Sequence, residues 1–414
     1  MTSDGLGADN AAVVRARTRW SSAAALLGIA TAVGHAFSYA FSLVLSRVLG
    51  PADFGALGAL LGLAIVATVP ATALQTQLAR VTATGINRAG VGEGYRLSWL
   101  IGLVLAAGLT LFSLPLGWAL RLEGPLSVLL LAAGLLPASV IAARQGVLLG
   151  RASFALLALT TVLIPALRLG AVVIGTAITD LTLEASLGLQ AAATWVGLFI
   201  VIVLVQRSIG SADDGQAGSP GPRLRGVVQA GSSLLGLFVL ANVDVLLARV
   251  FLSDTQSGIY AVGALGAKVV FWGSQFVALL VFPKVAQRQG GVRLVATAGL
   301  MITAVGAIGA LAAIPLAGPV LEVLVGPAYA EAATVAPWFV LLGTTLALVQ
   351  LMTYAAVARD RHHFSLLLWA TVIGQSIVIA LIAHSSVQQI VLVCIIGTSI
   401  LVVLSAALVQ RGRS

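Results

Sequence analysis

The sequence predicts an all-α integral membrane protein of about twelve transmembrane helices, in two six-helix bundles related by pseudo-two-fold symmetry. Three observations carry this. Of 414 residues, 59% are hydrophobic and 9% are charged, against roughly 45–50% and 25% in soluble domains, and the mean hydropathy is +1.06. The apolar residues gather into twelve runs, each about the 20 residues that a bilayer crossing takes. A polar stretch divides those runs six and six. Such a composition leaves no room for a sizeable soluble domain and excludes a single-pass receptor.

Residues 1–20 read as a cytoplasmic tail and residues 21–206 as the first bundle. Its spans are Ser21–Ser46, Phe54–Leu78, Leu97–Trp118, Leu126–Ala143, Phe154–Thr176 and Ala185–Gln206. The first is longer than the roughly 7–15 residues of a signal-peptide core and no A-x-A site ends it, so it reads as a retained helix. Residues 207–226 follow, with Gly, Ser, Asp and Pro in the proportions of a flexible cytoplasmic linker. Residues 227–410 form the second bundle, with spans Val227–Phe251, Gly258–Phe282, Leu294–Ala317, Thr334–Ala356, Ser365–His384 and Gln388–Gln410, and 411–414 close the chain as a cytoplasmic tail.

The charges test this threading. Eighteen of the 23 basic residues fall on the side of the N-terminal tail, among them Arg80, Arg88, Arg96, Arg144, Arg151, Lys284, Arg288 and Arg293. The opposite loops hold Arg47 and Arg121 together with Asp53, Glu123, Asp180, Glu184, Asp254, Glu322 and Glu331. Lys and Arg mark cytoplasmic loops, so both termini are expected in the cytoplasm. The net charge of +9 is therefore a topology signal; no basic run is dense enough, or interleaved with aromatics, to bind nucleic acid.

The halves echo each other. Leu45-Ser46-Arg47-Val48 ends span one and Leu247-Ala248-Arg249-Val250 ends span seven. Phe54-Gly55-Ala56-Leu57-Gly58-Ala59-Leu60 opens span two and Ile259-Tyr260-Ala261-Val262-Gly263-Ala264-Leu265 opens span eight. Six spans per half give both halves one orientation, which predicts a parallel repeat about an axis along the membrane normal. Pro70, Pro137, Pro165 and Pro315 interrupt spans and predict kinks.

Charge inside a span is costly, at least ~2.5–3.5 kcal/mol, and marks bundle interiors or aqueous cavities. Arg168 in span five and Lys268 in span eight, with Arg249 and Asp244 in span seven, are the candidates. Three bases against one acid cannot all be neutralised by pairing, so a cationic central cavity holding an anionic ligand is expected. Ion pairing of Asp244 with Arg168 or Lys268 is the structural alternative. Asp244 and mid-span His35 are candidates for ion coupling, His35 because its ordinary pKa lies near physiological pH; simple hydrogen bonding within the bundle is the alternative for His35. Gln75, Gln77, Gln275, Gln350, Tyr354 and Gln375 add polarity that suits a hydrated lumen or helix–helix hydrogen bonds.

The single cysteine, Cys394, excludes an intrachain disulfide and a cysteine-based metal site, and neither cofactor nor metal is expected. No HExxH, P-loop or G-x-S-x-G occurs, and the chain does not read as an enzyme.

Arg47-Val48-Leu49-Gly50-Pro51-Ala52-Asp53-Phe54-Gly55 resembles the R-x-L-G-P-x-x-F/Y-G signature at the end of the first helix of bacterial polysaccharide flippases. Gly258-Ile259-Tyr260-Ala261 through Ala267-Lys268 with Phe282-Pro283-Lys284, and Val325-Gly326-Pro327-Ala328-Tyr329-Ala330-Glu331-Ala332, resemble further segments of the same family. The resemblance implies the oligosaccharidyl-lipid branch of the multidrug/oligosaccharidyl-lipid/polysaccharide exporter superfamily. It implies a bacterial cytoplasmic-membrane transporter that moves a polyprenyl-diphosphate-linked oligosaccharide from the inner to the outer leaflet by alternating access. Arg168, Lys268, Arg249 and Arg47 would then offset the diphosphate charge. The partners it implies are the lipid-linked substrate and membrane lipids, with glycosyltransferases or a polymerase as further candidates and the monomer as the working unit. A small-molecule antiporter of the same superfamily, using Asp244, and a non-transporting scaffold for glycan assembly are the alternatives.

Overall fold

The structure, a computed structural model, describes residues 3–84, 88–209, 234–286, 291–357 and 363–411. Most of the expected linker at 207–226 lies outside them, as do the side chains of Gln275, Lys284, Arg288 and Arg293. Among the described residues all regular structure is helical.

α1 (Ser3–Ala67) is too long to cross a bilayer once: the apolar stretch Ala25–Ala83 alone runs 59 residues, roughly 90 Å of helix against a ~30 Å hydrocarbon core. It makes two crossings hinged at Gly50, whose φ of 71° and ψ of 174° lie where a Cβ is strained. Pro51 starts the second crossing, since the first turn of a helix needs no N–H there. That crossing breaks again at Thr68 and continues as α2 (Val69–Ala83), with Pro70 in its first turn.

The third span is α3 (Arg88–Leu111) with the short α4 (Ser113–Ala119). α5 (Leu126–Gly150), α6 (Phe154–Ile178) and α7 (Leu183–Ile209) complete the first bundle. In the second, α8 (234–240) and α9 (Val243–Phe251) form one crossing broken at residues 241–242. α10 (Asp254–Ala286), α11 (Gly291–Leu324), α12 (Ala332–Val357), α13 (His363–Leu381) and α14 (Val387–Arg411) follow. Counted this way the crossings are the twelve expected, in two bundles of six. Pro137, Pro165, Pro315, Pro319 and Pro337 sit inside continuous helices.

The pattern of burial is that of a chain dissolved in lipid. Leu111, Ile178, Phe199, Leu300, Ile308, Leu311, Leu381 and Ile382 are exposed, whereas Ser127, Ser139, Thr160, Ser186, Thr194, Gln350, Thr353 and Thr398 are buried. Polar groups turn inward because lipid offers them no partner. Within the first bundle α1 packs on α6, α5 on α2, α3 and α7; within the second α12 packs on α10, α11 and α14. The bundles meet where α1 lies against α9 and α10. There Gly55 abuts Ser257 and Gly258 abuts the Pro51 carbonyl, so closely that a Cβ on either glycine would overlap them. One apolar core, containing Phe54, Leu57, Tyr260, Phe271, Tyr329 and Phe339, runs through this contact and joins the halves.

Candidate functional site

A cavity of about 330 Å³ lies between the halves. Span one contributes His35, Ser38, Tyr39 and Ser42; α6 contributes Pro165 and Arg168; α7 contributes Gln190; α10 contributes Lys268 and Trp272. No Asp or Glu is among its lining residues. Spacings of three, four and seven put His35, Ser38, Tyr39 and Ser42 on one helical stripe, facing the cavity from an otherwise apolar helix.

Arg168 is oriented by its own bundle: its Nε donates to Thr194 Oγ1 at 3.1 Å, and Thr194 Oγ1 donates to the Gln190 carbonyl at 2.7 Å. The rest of the guanidinium fork makes no hydrogen bond among the described residues. The Lys268 ammonium makes no hydrogen bond or direct ion pair among the described residues, although it feels the charge of Asp244. His35 stacks across the interface on Trp272, with centroids 5.1 Å apart and planes 25° apart. The Tyr39 hydroxyl is buried and unpartnered. Two cations, an imidazole and a free phenol from three helices thus surround one space with no counter-charge in its walls.

Asp244 does not line the cavity. It is buried in α9 and accepts a 2.9 Å hydrogen bond from Tyr260 OH, and its other oxygen has no partner. Gln350 and Gln375 are buried in the same bundle with unpartnered amide atoms. Gln75 and Gln77 are half-buried on α2, away from the cavity.

Arg249 and Arg47, expected in the cationic cavity, are not among the residues that line it. Both sit at the ends of their spans and reach across to the opposite half. Arg249, 4% exposed, donates to the carbonyls of Leu120 (2.9 Å), Ala52 (3.1 Å) and Arg121 (3.2 Å), and pairs with Asp254 at 3.0 Å. Arg121 returns the contact, donating to the Arg249 carbonyl at 2.6 Å and pairing with Asp254 at 3.3 Å. Arg47 donates to the Val323 and Leu324 carbonyls at the end of α11. Tyr329 OH donates to the Ser46 carbonyl at 2.9 Å; burial raises its pKa, keeping the phenol protonated as a donor. A guanidinium can satisfy several helix-end carbonyls at once, so these residues latch the halves together at the ends expected to face outward.

The cavity residues missed in the sequence include Ser38, Tyr39, Ser42, Gln190 and Trp272, and Thr194, which accepts from Arg168 without lining the cavity, was missed as well. The polar stripe on span one, four residues on from His35, was the signal for Tyr39. Trp272 lies one turn beyond Lys268 and was readable the same way. Thr194 carried no signal, because a threonine inside an apolar span ordinarily bonds its own helix.

No protein-family profile matches the sequence, and no curated protein resembles it significantly. Solved structures do resemble the fold. One, described as the inward-facing conformation of a multidrug resistance MATE-family transporter of the MOP superfamily, superposes with a TM-score of 0.71 at 12% identity, over 91% of this chain and 93% of that one. An outward-facing conformation described in the same words gives 0.58 at 16% identity, over 94% of each chain. A MOP-superfamily transporter from Pyrococcus furiosus, whose binding pocket is described as having reverse polarity suggesting a different function, gives 0.62 at 15% identity, over 94% of this chain and 95% of that one. At these identities the likeness establishes the fold: a MATE-like arrangement of twelve helices in two bundles.

Proposed function

We propose that this chain is an alternating-access membrane transporter whose inter-bundle cavity takes an anionic cargo. The carrying observation is the cavity itself, lined by Arg168, Lys268 and His35 and by no carboxylate. A site of one charge sign walled by apolar helices concentrates ligands of the other sign. The latched outer ends, and the better superposition on the inward-facing than on the outward-facing relative, support an inward-facing state. Alternating access would then require the latches to break as the inner ends close.

Two readings of the cargo follow. The motif at Arg47–Gly55 and the two cavity cations support the diphosphate of a polyprenyl-linked oligosaccharide, its lipid tail left in the bilayer. The relatives described as multidrug transporters support small-molecule efflux, and so does the cavity volume. At 330 Å³ it stands at the small end of the ~300–1,000 Å³ typical of ligand pockets. It would hold a small organic anion, or a diphosphate with its nearest sugar, but not a whole oligosaccharide. Asp244 and His35 are the groups to which an ion gradient would couple in either case.

Proteoliposomes containing only this protein separate the readings. Movement of a polyprenyl-diphosphate sugar between leaflets, lost in Arg168→Ala and Lys268→Ala at unchanged folded yield, is expected for the lipid-linked reading. Gradient-driven uptake of a small organic anion with no lipid movement assigns the antiporter. Full transport of both by the two alanine variants would overturn the cavity's role.

A further inference from the structure

A second group of basic side chains lies apart from the cavity, where α3 begins and α5 ends. The Arg144 guanidinium sits over the Tyr95 ring, 4.5 Å from its centroid, and Arg144 is 9% exposed. Arg151 follows directly after α5, and its charge and that of Arg144 both act on the Tyr95 phenol. Arg144 Nε, Arg151 Nε and Tyr95 OH are all buried without a hydrogen-bond partner. Among the described residues no carboxylate pairs with either arginine; the acid on this part of α3, Glu93, is exposed. None of the three residues lines the inter-bundle cavity.

Buried polar groups are normally satisfied, and buried charges are normally paired. Three orphaned donors on neighbouring helices, with two positive charges and no acid, depart from both rules together. Stacking on Tyr95 occupies the face of the Arg144 guanidinium and leaves its in-plane N–H groups for an oxyanion. The platform beneath is stiff: Gly146 and Gly150 press α5 onto the backbone of α2 at Gln75 and Ala79, with no space for a Cβ. A group with several acceptor oxygens and up to two negative charges matches this donor set, which is the chemistry of phosphate. The site also lies at the end of the bundle where basic residues are expected to meet bilayer phosphates.

We propose that Tyr95, Arg144 and Arg151 form a phosphate site on the flank of the first bundle, distinct from the transport cavity. The phosphate comes from a bilayer headgroup or from a soluble phosphate, and the test has an arm for each. The purified full chain in neutral detergent is unfolded by heat against increasing inorganic phosphate, with sodium chloride at equal ionic strength as control. In the other arm phosphatidylglycerol is added to the micelles, with a phosphate-free galactolipid as control. A ligand that binds the folded state raises the unfolding midpoint with its concentration.

The midpoint of the unmodified chain should rise above its control in at least one arm. Arg144→Gln and Arg151→Gln should each need roughly tenfold more ligand for the same rise, as expected for the loss of a charge-assisted hydrogen bond. Tyr95→Phe keeps the ring beneath the guanidinium and should need a few-fold more, which serves if the glutamine variants fail to fold. A rise in the lipid arm alone assigns a headgroup, and a rise in the phosphate arm assigns the phosphate group itself. No rise above control in either arm, or equal rises in the unmodified chain and in Tyr95→Phe and the folded glutamine variants, overturns the site.

Discussion

At the scale of single residues, the cavity is set by what holds its cations. Arg168 is tied through Thr194, while Lys268 has no such tether among the described residues, so the two should respond differently to change nearby. Thr194→Val removes the acceptor at nearly constant volume and leaves the charge in place. Its loss frees the guanidinium to point elsewhere, and a hydrogen bond to a charged group is worth about 1.5–3 kcal/mol. Transport in proteoliposomes should fall roughly tenfold or more, with folded yield unchanged; an undiminished rate would show that Arg168 needs no positioning. His35→Phe retains a ring against Trp272 and removes the titrating group. If His35 couples transport to protons, that variant should lose the pH dependence of transport. If Asp244 does so instead, Asp244→Asn should abolish the gradient dependence and His35→Phe should leave it intact.

At the scale of elements, Gly50-Pro51 was legible because glycine permits the left-handed backbone and proline ends the preceding hydrogen-bond ladder. Pro70 likewise foretold the α1–α2 break, which falls at Thr68, two residues before it. The extra turns that start α10 at Asp254 and carry α11 to Leu324 were not legible: hydropathy marks the apolar part of a helix, not where its backbone hydrogen bonds stop. Arg168 and Lys268 stood out because charge is rare in a span. Arg249 could not be separated from them by type, since only the position of the opposite half's carbonyls distinguishes a latch from a cavity wall. The close pass of the second and eighth crossings gives a direct test. Gly258→Ala puts a methyl into the Pro51 carbonyl, and overpacking of that kind costs about 1–3 kcal/mol. It should shift the protein toward the state with its outer ends apart. Thiol labelling at an engineered cavity cysteine should report this against a quiet background, because the native Cys394 is buried. Labelling from the outer side no faster than in the parent would refute that shift.

For the whole molecule, the sequence echo of Arg47 and Arg249 becomes a physical reciprocity. Arg47, ending span one, holds the carbonyls that end α11; Arg249, ending span seven, holds Leu120 and Arg121 just after α4. Those targets are the ends of the third crossing of each half. Each half therefore grips the other at the equivalent place, as a pseudo-two-fold axis requires of a repeated motif. Equivalent geometry does not mean equivalent energy. Arg47 is exposed, and water competes for both its donors and its carbonyls, so its grip is worth about 1 kcal/mol or less. Arg249 is 4% exposed, but its partner Asp254 is half-exposed and also pairs with Arg121, so its grip rests on buried hydrogen bonds from a charged donor, worth about 1.5–3 kcal/mol. Arg249→Gln should therefore move the ratio of outer-closed to outer-open protein by roughly ten- to a hundredfold, and Arg47→Gln by less than about tenfold. Outer-side labelling of a cavity cysteine measures both in one assay. Equal effects of the two substitutions would mean that burial does not set the strength of the latch. A larger effect of Arg47→Gln would place the hinge at Gly50, beside Arg47, rather than the carbonyl contacts, in control of opening.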